Sequence, residues 1–435
     1  MGLTGFYEFL RKKAPDCIDS TSLSAFAGQS IGIDGNLFLR QRMSKTGPDV
    51  PLLSKFLKDM GNWMRSHDVE PVFALDGKVL PRAKLLTAQI RESRRRKADD
   101  KVAELEELIR TKRRRLDELA LAQALGMVTA TAAGKASADV LVQALPTSVS
   151  DVLQPGRPPS PGTVELTSDT LLKTTSPVLP PVPTEDKVDA PAGASPLPNV
   201  TSMPAAPGVA GTGSEAFDRV DPALRLSEGR EELRGLETNH LKQMRQTWRL
   251  TFEQRQEIAH ELSRAGFICE ISTSEADFLL AMLSRRGAIG AVATEDADML
   301  PFSVNVLLRG LSSHMYSSSS CLERYTRATL LQKLEMTQAE FIELCILCKC
   351  DYVPKGLDKI GIHKAYLGIK KHKTIDAYVK SFTPKQKKTH KCDPNFAEQV
   401  VEARRLFTNP TVELQNDLPD LERRILGRQL ARKCT

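Results

Sequence analysis

The stretch Thr273-Ser-Glu-Ala-Asp-Phe-Leu-Leu-Ala-Met-Leu-Ser-Arg-Arg-Gly-Ala-Ile-Gly-Ala-Val-Ala-Thr-Glu-Asp-Ala-Asp298 decides the fold. Ser274 or Thr273 can cap a helix that carries Glu275 and Asp277 in its first turn, where acids are favoured. An apolar run (Phe278, Leu279, Leu280, Met282, Leu283) follows at helical spacing, and Gly287 ends it. Ala288 to Thr294 is short, apolar and uncharged, as a parallel strand covered on both faces should be. It runs straight into Glu295, Asp296 and Asp298, so carboxylates bracket one helix–strand unit.

The same grammar occurs twice earlier. Ser30-Ile-Gly-Ile-Asp34 is a short apolar run ending in an acid, and so is Pro71-Val-Phe-Ala-Leu-Asp76, followed by Gly77. Strands that end in acids and alternate with helices predict an α/β fold, a central, mostly parallel sheet flanked by helices. Sites in such sheets form in the crevice at the strand carboxyl ends. Asp351 follows the apolar helix Phe341–Leu347 and joins the set. Any one of these acids could be a helix cap or a solvated loop end. Together, Asp34, Asp76, Glu275, Asp277, Asp296, Asp298 and Asp351 would repel one another unless cations joined them. Hard divalent ions with oxygen ligands answer that need, Mg²⁺ being the usual one.

The 435 residues carry a formal charge of +7 and are 41% hydrophobic, enough for a real core. A basic excess beside grouped acids places basic patches elsewhere and suits a polyanionic partner. No run reaches membrane-spanning length, and no secretion signal opens the chain. The eight cysteines are therefore expected to be reduced thiols. Cys345, Cys348 and Cys350 lack a matching second pair for zinc.

Four regions are expected. Residues 1–126 read as α/β, with helices over Leu3–Lys13 and Leu53–Arg65, then a highly charged helical stretch from 82. That stretch holds Lys84, Arg91, Arg94, Arg95 and a second basic block at 110–115; it reads either as a solvated face or as a phosphate grip. Residues 130–215 should be a disordered insertion: fourteen of the 26 prolines lie between Pro146 and Pro207, and little there could offset chain entropy. Order should resume near Leu241, so that 240–378 completes the core. Within 341–378, Lys355, Gly356, Gly361, Lys364, Lys370 and Lys371 outline a helix–hairpin–helix. Its amides and lysines suit a nucleic-acid backbone without reading sequence. Residues 379–435 read as a charged extension.

These motifs in this order resemble the XPG-type structure-specific 5′ nucleases, which include flap endonuclease and exonuclease one. The resemblance rests on Met1-Gly-Leu-Thr-Gly5, Ile33-Asp34, Phe73-Ala-Leu-Asp-Gly-Lys78, Ser274-Glu-Ala-Asp277, Ala293-Thr-Glu-Asp-Ala-Asp298 and Cys345-Ile-Leu347 through Cys350-Asp-Tyr352. It implies a PIN-like nuclease core and a 5′-flap endonuclease or 5′-to-3′ exonuclease acting in DNA replication or repair. It also implies two Mg²⁺ ions, replaceable by Mn²⁺, on the seven carboxylates, with Lys84 and Arg91 reaching the scissile phosphate. Gly2, Arg40, Arg94, Arg95 and the hairpin residues become DNA-binding candidates, and the hairpin a candidate monovalent-cation site. The expected partner is DNA with 5′ flaps, nicks or recessed ends. The expected protein is a nuclear monomer that does not enter membranes.

The chain also departs from the family. Arg40 stands where flap endonucleases have a base-stacking Tyr, and Lys359 stands for the first Gly of the hairpin. The segment between Asp34 and Asp76 is short and leaves Asp49 as its one acid near the 3′-flap region. Lys84 lies one residue further from Asp76 than expected, and no sliding-clamp motif ends the chain. Glu275-Ala-Asp277 and Leu80-Pro81 look more like the exonuclease branch. A catalytically weak or silent nucleic-acid-binding member of the same fold is the alternative reading; loss of metal carboxylates would favour it.

Overall fold

Short β-branched and apolar runs set the centre of the sheet. The computed structural model describes residues 3, 5–133, 222–317, 321–410 and 418–433. Its strands are β1 (Ile18–Thr21), β2 (Ser30–Asp34), β3 (Glu70–Leu75), β4 (Ile268–Ile271), β5 (Ala291–Ala293), β6 (Val306–Arg309) and β7 (Leu322–Thr326). They lie in the order β1-β7-β6-β5-β2-β3-β4. The five strands from β4 to β6 are mutually parallel, and β7 runs antiparallel to both β6 and β1. The mostly parallel α/β sheet expected from the sequence is present.

Both faces of that sheet are covered. Along β3, Val72 and Ala74 enter the cluster that holds Phe6, Phe278 and Phe341. Phe73 and Leu75 enter the opposite cluster with Leu57, Met60 and Leu262. This is the two-residue alternation of a strand, here with both faces apolar. Each of the larger side chains, such as Val72, Phe73 and Leu75, contributes about 1.5–3 kcal/mol on leaving water.

Several boundaries differ from the sequence reading, each for a local reason. The first helix is Phe6–Lys13, because Gly5 adopts a left-handed conformation with φ 74°. The third begins at Val50, since Asp49 accepts the Leu52 N–H and Pro51 fits its first turn. Asp49 therefore serves as a cap. Only Ala291–Ala293 of the expected 288–294 strand pairs. The described chain resumes at Pro222 rather than Leu241, with helices Pro222–Thr247 and Phe252–Arg264. The charged helix runs from Leu85 to Ala133, overlapping the first residues of the expected insertion; 134–215 and Gly2 lie outside the described residues.

Two compact units emerge: Met1–Arg113 with Glu231–Thr435, and Arg114–Arg230. In the second, Leu116 and Leu226 are buried and Arg114 pairs with Glu118. In the first, Lys112 and Arg113 are spent on Glu232 and Glu237, so these members of the second basic block grip acids of the same chain. The last helix, Leu418–Lys433, is tied to the sheet's amino end. Arg428 and Arg432 join Arg65 on the buried Glu70, and Gln429 donates to Ser30 Oγ. No helix among the described residues is long and apolar enough to cross a membrane.

Candidate active site

The carboxyl ends of β2, β3 and β5 deliver Asp34, Asp76 and Asp296 to one crevice. Asp34 closes β2 and caps the helix Gly35–Thr46, its Oδ1 accepting the Leu37 N–H at 3.1 Å. Its Oδ2 accepts the Thr294 hydroxyl at 3.0 Å. Thr294 Oγ1 in turn accepts the Asp296 N–H at 3.1 Å, and Asp296 Oδ1 accepts the Asp298 N–H at 2.9 Å. Asp298 then receives the Leu3 N–H on Oδ1 (2.9 Å) and the Asp351 N–H on Oδ2 (3.0 Å). One hydrogen-bonded chain thus runs from β2 through the β5 loop to the loop after the helix Gln338–Leu347.

The other half of the site meets Asp76. Its Oδ1 accepts the Ala276 N–H at 2.9 Å and so caps the helix Ala276–Arg285 from another strand. This replaces the expected cap: neither Ser274 nor Thr273 has that role, and Glu275 occupies the cap position without a side-chain bond to the helix. Gly77 allows the approach, because a Cβ there would lie 1.9 Å from the Ser272 carbonyl oxygen. Arg255 fastens the turn by donating to the carbonyls of Asp76, Gly77 and Leu250.

Lys84 and Arg91 enter from the side. Lys84 lies in the tight turn Arg82–Lys84 rather than on the long helix. Its ammonium pairs with Glu275 and, at 3.3 Å, with Asp351. Arg91 forks onto Asp351 at 2.6 and 2.8 Å. Thr87, buried between them, donates to the Asp351 carbonyl. Tyr352 donates to Glu275 Oε2 at 2.9 Å.

The electrostatics of the cluster follow from burial and crowding. Burial, then Asp76 and Asp296, push Asp34 up to about 7. Burial with Asp34 and Glu275 pushes Asp277 well above the carboxylate range, and burial with Asp296 and Asp351 does the same to Asp298. Glu275 is raised by burial despite Lys84. Burial also opposes the charge of Asp351, but Lys84 and Arg91 hold its carboxyl below the usual range. Lys84 stays firmly protonated against its own burial because Glu275 and Asp351 face it.

The cluster is therefore short of positive charge, and its side-chain donors are oxygen. That chemistry fits hard divalent ions. Among the described residues, however, no three His, Cys, Asp or Glu side chains are arranged to enclose an ion as they stand. The physical reason is visible: Lys84 and Arg91 occupy Glu275 and Asp351, and backbone N–H groups occupy Asp298. The thiols near Asp351 are not ligands in waiting. Cys345 and Cys350 are buried, and burial raises both well above the ordinary thiol value.

The remaining candidates divide. Arg40 and Arg94 are exposed, and Arg95 pairs with Glu92 at 3.3 Å. In the hairpin, Lys355 pairs with Asp393 at 2.8 Å and Lys370 with Glu335, while Lys371 is exposed. Lys364 reaches only the Lys359 carbonyl, at 3.4 Å. Gly356 has φ 54° and Lys359 φ 58°. The lysine thus holds a left-handed position that favours glycine, and Gly361 begins the helix Ile362–His372. Leu357 bridges Cys392, which ties the hairpin to the following segment.

Sequence reasoning missed Thr294, Tyr352, Thr87 and Arg255. Thr294 alone carried a signal, a hydroxyl between an apolar strand and its acids. It also missed Tyr7, a buried phenol under the Arg309 guanidinium, 3.7 Å from the ring centre. Arg309 in turn pairs with Glu295 at 2.9 Å and with Glu323 at 2.8 Å. Glu295 also accepts the Gly310 N–H at 2.7 Å, so it braces the β5 and β6 loops. Beside it a cavity of about 520 Å³ opens, with Arg42, Lys45 and Tyr316 in its wall.

Residues 1–98 match the XPG N-terminal domain and residues 266–351 the XPG I-region. Flap endonuclease 1 of Mycosarcoma maydis is 32% identical over 212 residues, 47% of this chain and 55% of that protein. Flap endonuclease 1 of Cryptosporidium muris is 34% identical over 178 residues, 39% of this chain and 36% of that protein. The chain thus spans about half or less of the length of these relatives. Among solved structures, the catalytic core of Rad2 in complex with DNA substrate superposes with a TM-score of 0.49 at 13% identity, covering 98% of this chain and 95% of that one.

Proposed function

We propose that this chain, whose residues 1–98 and 266–351 match the XPG N-terminal domain and I-region, is a 5′ nuclease of that kind and hydrolyses phosphodiester bonds of DNA at 5′ flaps and recessed 5′ ends with Mg²⁺. The observation that carries the proposal is the carboxylate cluster at the strand ends, short of positive charge and met by two cationic side chains from the segment that follows β3. All seven carboxylates are in place, which disfavours the silent reading.

Asp34, Asp76, Glu275, Asp277, Asp296 and Asp351 would hold the metal, with Asp298 bracing Asp351 and the start of the chain. Divalent ions bound there supply an acidified water and offset charge on the leaving oxygen. Thr294 fixes Asp34, and Tyr352 fixes Glu275, each through one hydrogen bond. Lys84 and Arg91 neutralise the carboxylates when no phosphate is present. Released from them, they face the scissile phosphate, where fixed cations stabilise charge that develops in the transition state. Arg40, Arg94 and Lys371 contact the backbone of the duplex, so binding falls steeply with salt.

The test is cleavage of 5′-labelled flap, nicked, recessed and blunt duplexes with and without Mg²⁺, beside Asp296→Ala. We expect Mg²⁺-dependent cutting of flap and recessed substrates with weak preference between them, lost in the variant while DNA binding remains. Turnover that survives chelation or Asp296→Ala would overturn the proposal. A large gain from one added 3′ nucleotide would overturn the weak substrate preference alone.

A further inference from the structure

A second polar cavity lies at the other end of the sheet. Asn305, at its mouth, directly precedes β6, whereas the carboxylates gather where the strands end. The helix Ala276–Arg285 spans the distance: Asp277 sits in its first turn and Arg285 at its last residue, about 12 Å further along. The cavity measures about 370 Å³.

Among the described residues, two guanidinium groups line it and no acid does. Arg285 donates to the carbonyls of Phe302 (2.9 Å), Phe407 (2.7 Å) and Thr408 (2.9 Å). Those three bonds fix the group rigidly and leave two of its five N–H donors over. Arg327 makes a single side-chain bond, 3.4 Å long, to Asn305 Oδ1. Among the described residues, neither cation pairs with a carboxylate. Burial, and then the charge of Arg327, lower the pKa of Arg285, a sign that the pair is held together at a cost. Elsewhere in this chain Arg65, Arg91, Arg309 and Arg404 all find carboxylates.

A third group constrains the chemistry further. Gln338, the first residue of the helix Gln338–Leu347, donates its amide N–H to the Pro301 carbonyl at 3.2 Å, which fixes the orientation of the amide. Its Oε1 is buried and accepts no hydrogen bond among the described residues, and Gln338 itself lies in the cavity wall. A buried acceptor without a donor costs about 1–3 kcal/mol. The buried Ile342 adds an apolar wall next to it.

We propose that this cavity is a binding site for a phosphate monoester whose organic part carries a hydrogen-bond donor, the chemistry of a mononucleotide. Two planar guanidinium forks match a phosphate dianion. Gln338 Oε1 takes a hydroxyl or exocyclic amine N–H of the organic part; inorganic phosphate has only its own P–OH, which stays with the oxyanion on the two guanidinium groups. The volume falls at the small-ligand end of ordinary sites. The site is separate from the carboxylate cluster and does not depend on hydrolysis.

Calorimetric titration of the full chain in EDTA at low salt, with inorganic phosphate and with deoxyadenosine 5′-monophosphate, tests it. The mononucleotide should bind at least about tenfold more tightly than phosphate, the step expected from one satisfied buried acceptor. Arg327→Ala, which removes only one long bond, should weaken both probes by about tenfold or more. Gln338→Leu should weaken the mononucleotide alone. Arg91→Ala should change neither, which separates this site from the cluster. Equal affinities in wild type and Arg327→Ala, loss of binding in Arg91→Ala, or no binding at millimolar probe would overturn the proposal. Tighter binding of a phosphoserine peptide than of the mononucleotide would overturn the ligand class.

Discussion

Replacing Lys84 by methionine keeps the stem of the side chain and deletes its charge. In the metal-free protein this leaves Glu275 with the Tyr352 hydroxyl and Asp351 with Arg91. The Lys84 side chain is 14% exposed and those two carboxylates 7%, so solvent screens the loss only weakly. Breaking a buried pair from one side costs about 3–5 kcal/mol. Glu275 can shed part of that by taking a proton, which places the expected loss near the lower end, about 3 kcal/mol at neutral pH. Urea melts in EDTA should therefore show the midpoint falling by about 1 M or more. In millimolar Mg²⁺ the same substitution should cost less than about 1 kcal/mol, because ions on the carboxylates supply the missing charge and stabilise the folded state. Single-turnover cleavage should still fall by about 10²-fold, the loss of one fixed cation at a transferring phosphate. A stability loss of equal size with and without Mg²⁺ would refute the idea that Lys84 and metal answer the same carboxylates.

Three more outcomes follow from the site. Asp34 is pushed up to about 7 in the folded chain, so the folded state binds the extra proton and stability falls as pH rises from about 4 to about 7, by at most about 4 kcal/mol. In EDTA, Asp34→Asn should gain on wild type across that window, and parallel pH curves for the two would show that Asp34 is not the cause. Thr294→Val removes the hydroxyl shared by Asp34 and the Asp296 N–H; cleavage should fall about 10–100-fold with little change in DNA binding, and unchanged cleavage would show the bond to be idle. Arg91→Ala should slow the chemical step more than it weakens binding, and an effect confined to KM would make Arg91 part of the general phosphate grip.

How far the sequence reached can be judged strand by strand. β2, β3 and β5 are apolar because both faces are covered, and an acid ends or follows each, so pattern alone located them and most of the carboxylates. β1 reads Ile-Asp-Ser-Thr and β7 Leu-Glu-Arg-Tyr-Thr. Both lie at the antiparallel edge, where half the side chains meet water or ion pairs, and neither has an apolar run to announce it. β4 was hidden for the same reason, its Glu270 being matched by Arg424 of the last helix. The cap on the helix Ala276–Arg285 was misassigned because the acceptor comes from Asp76, two hundred residues earlier, and local rules see only neighbours. Tyr352 and Thr87 were invisible as site residues for the same reason: their partners are fixed by tertiary packing.

The bond from the Leu3 amide to Asp298 spans 295 residues, and that from Thr87 to the Asp351 carbonyl spans 264. β2, reached within the first tenth of the chain, is flanked by β5, which emerges only after residue 290. A ribosome making this protein therefore exposes an unpaired strand edge for most of synthesis, and contacts this distant in sequence form slowly. The crevice closes only when Asp351 has left the exit tunnel. A nascent chain, or one cut short before that residue, holds the first carboxylates but no assembled centre.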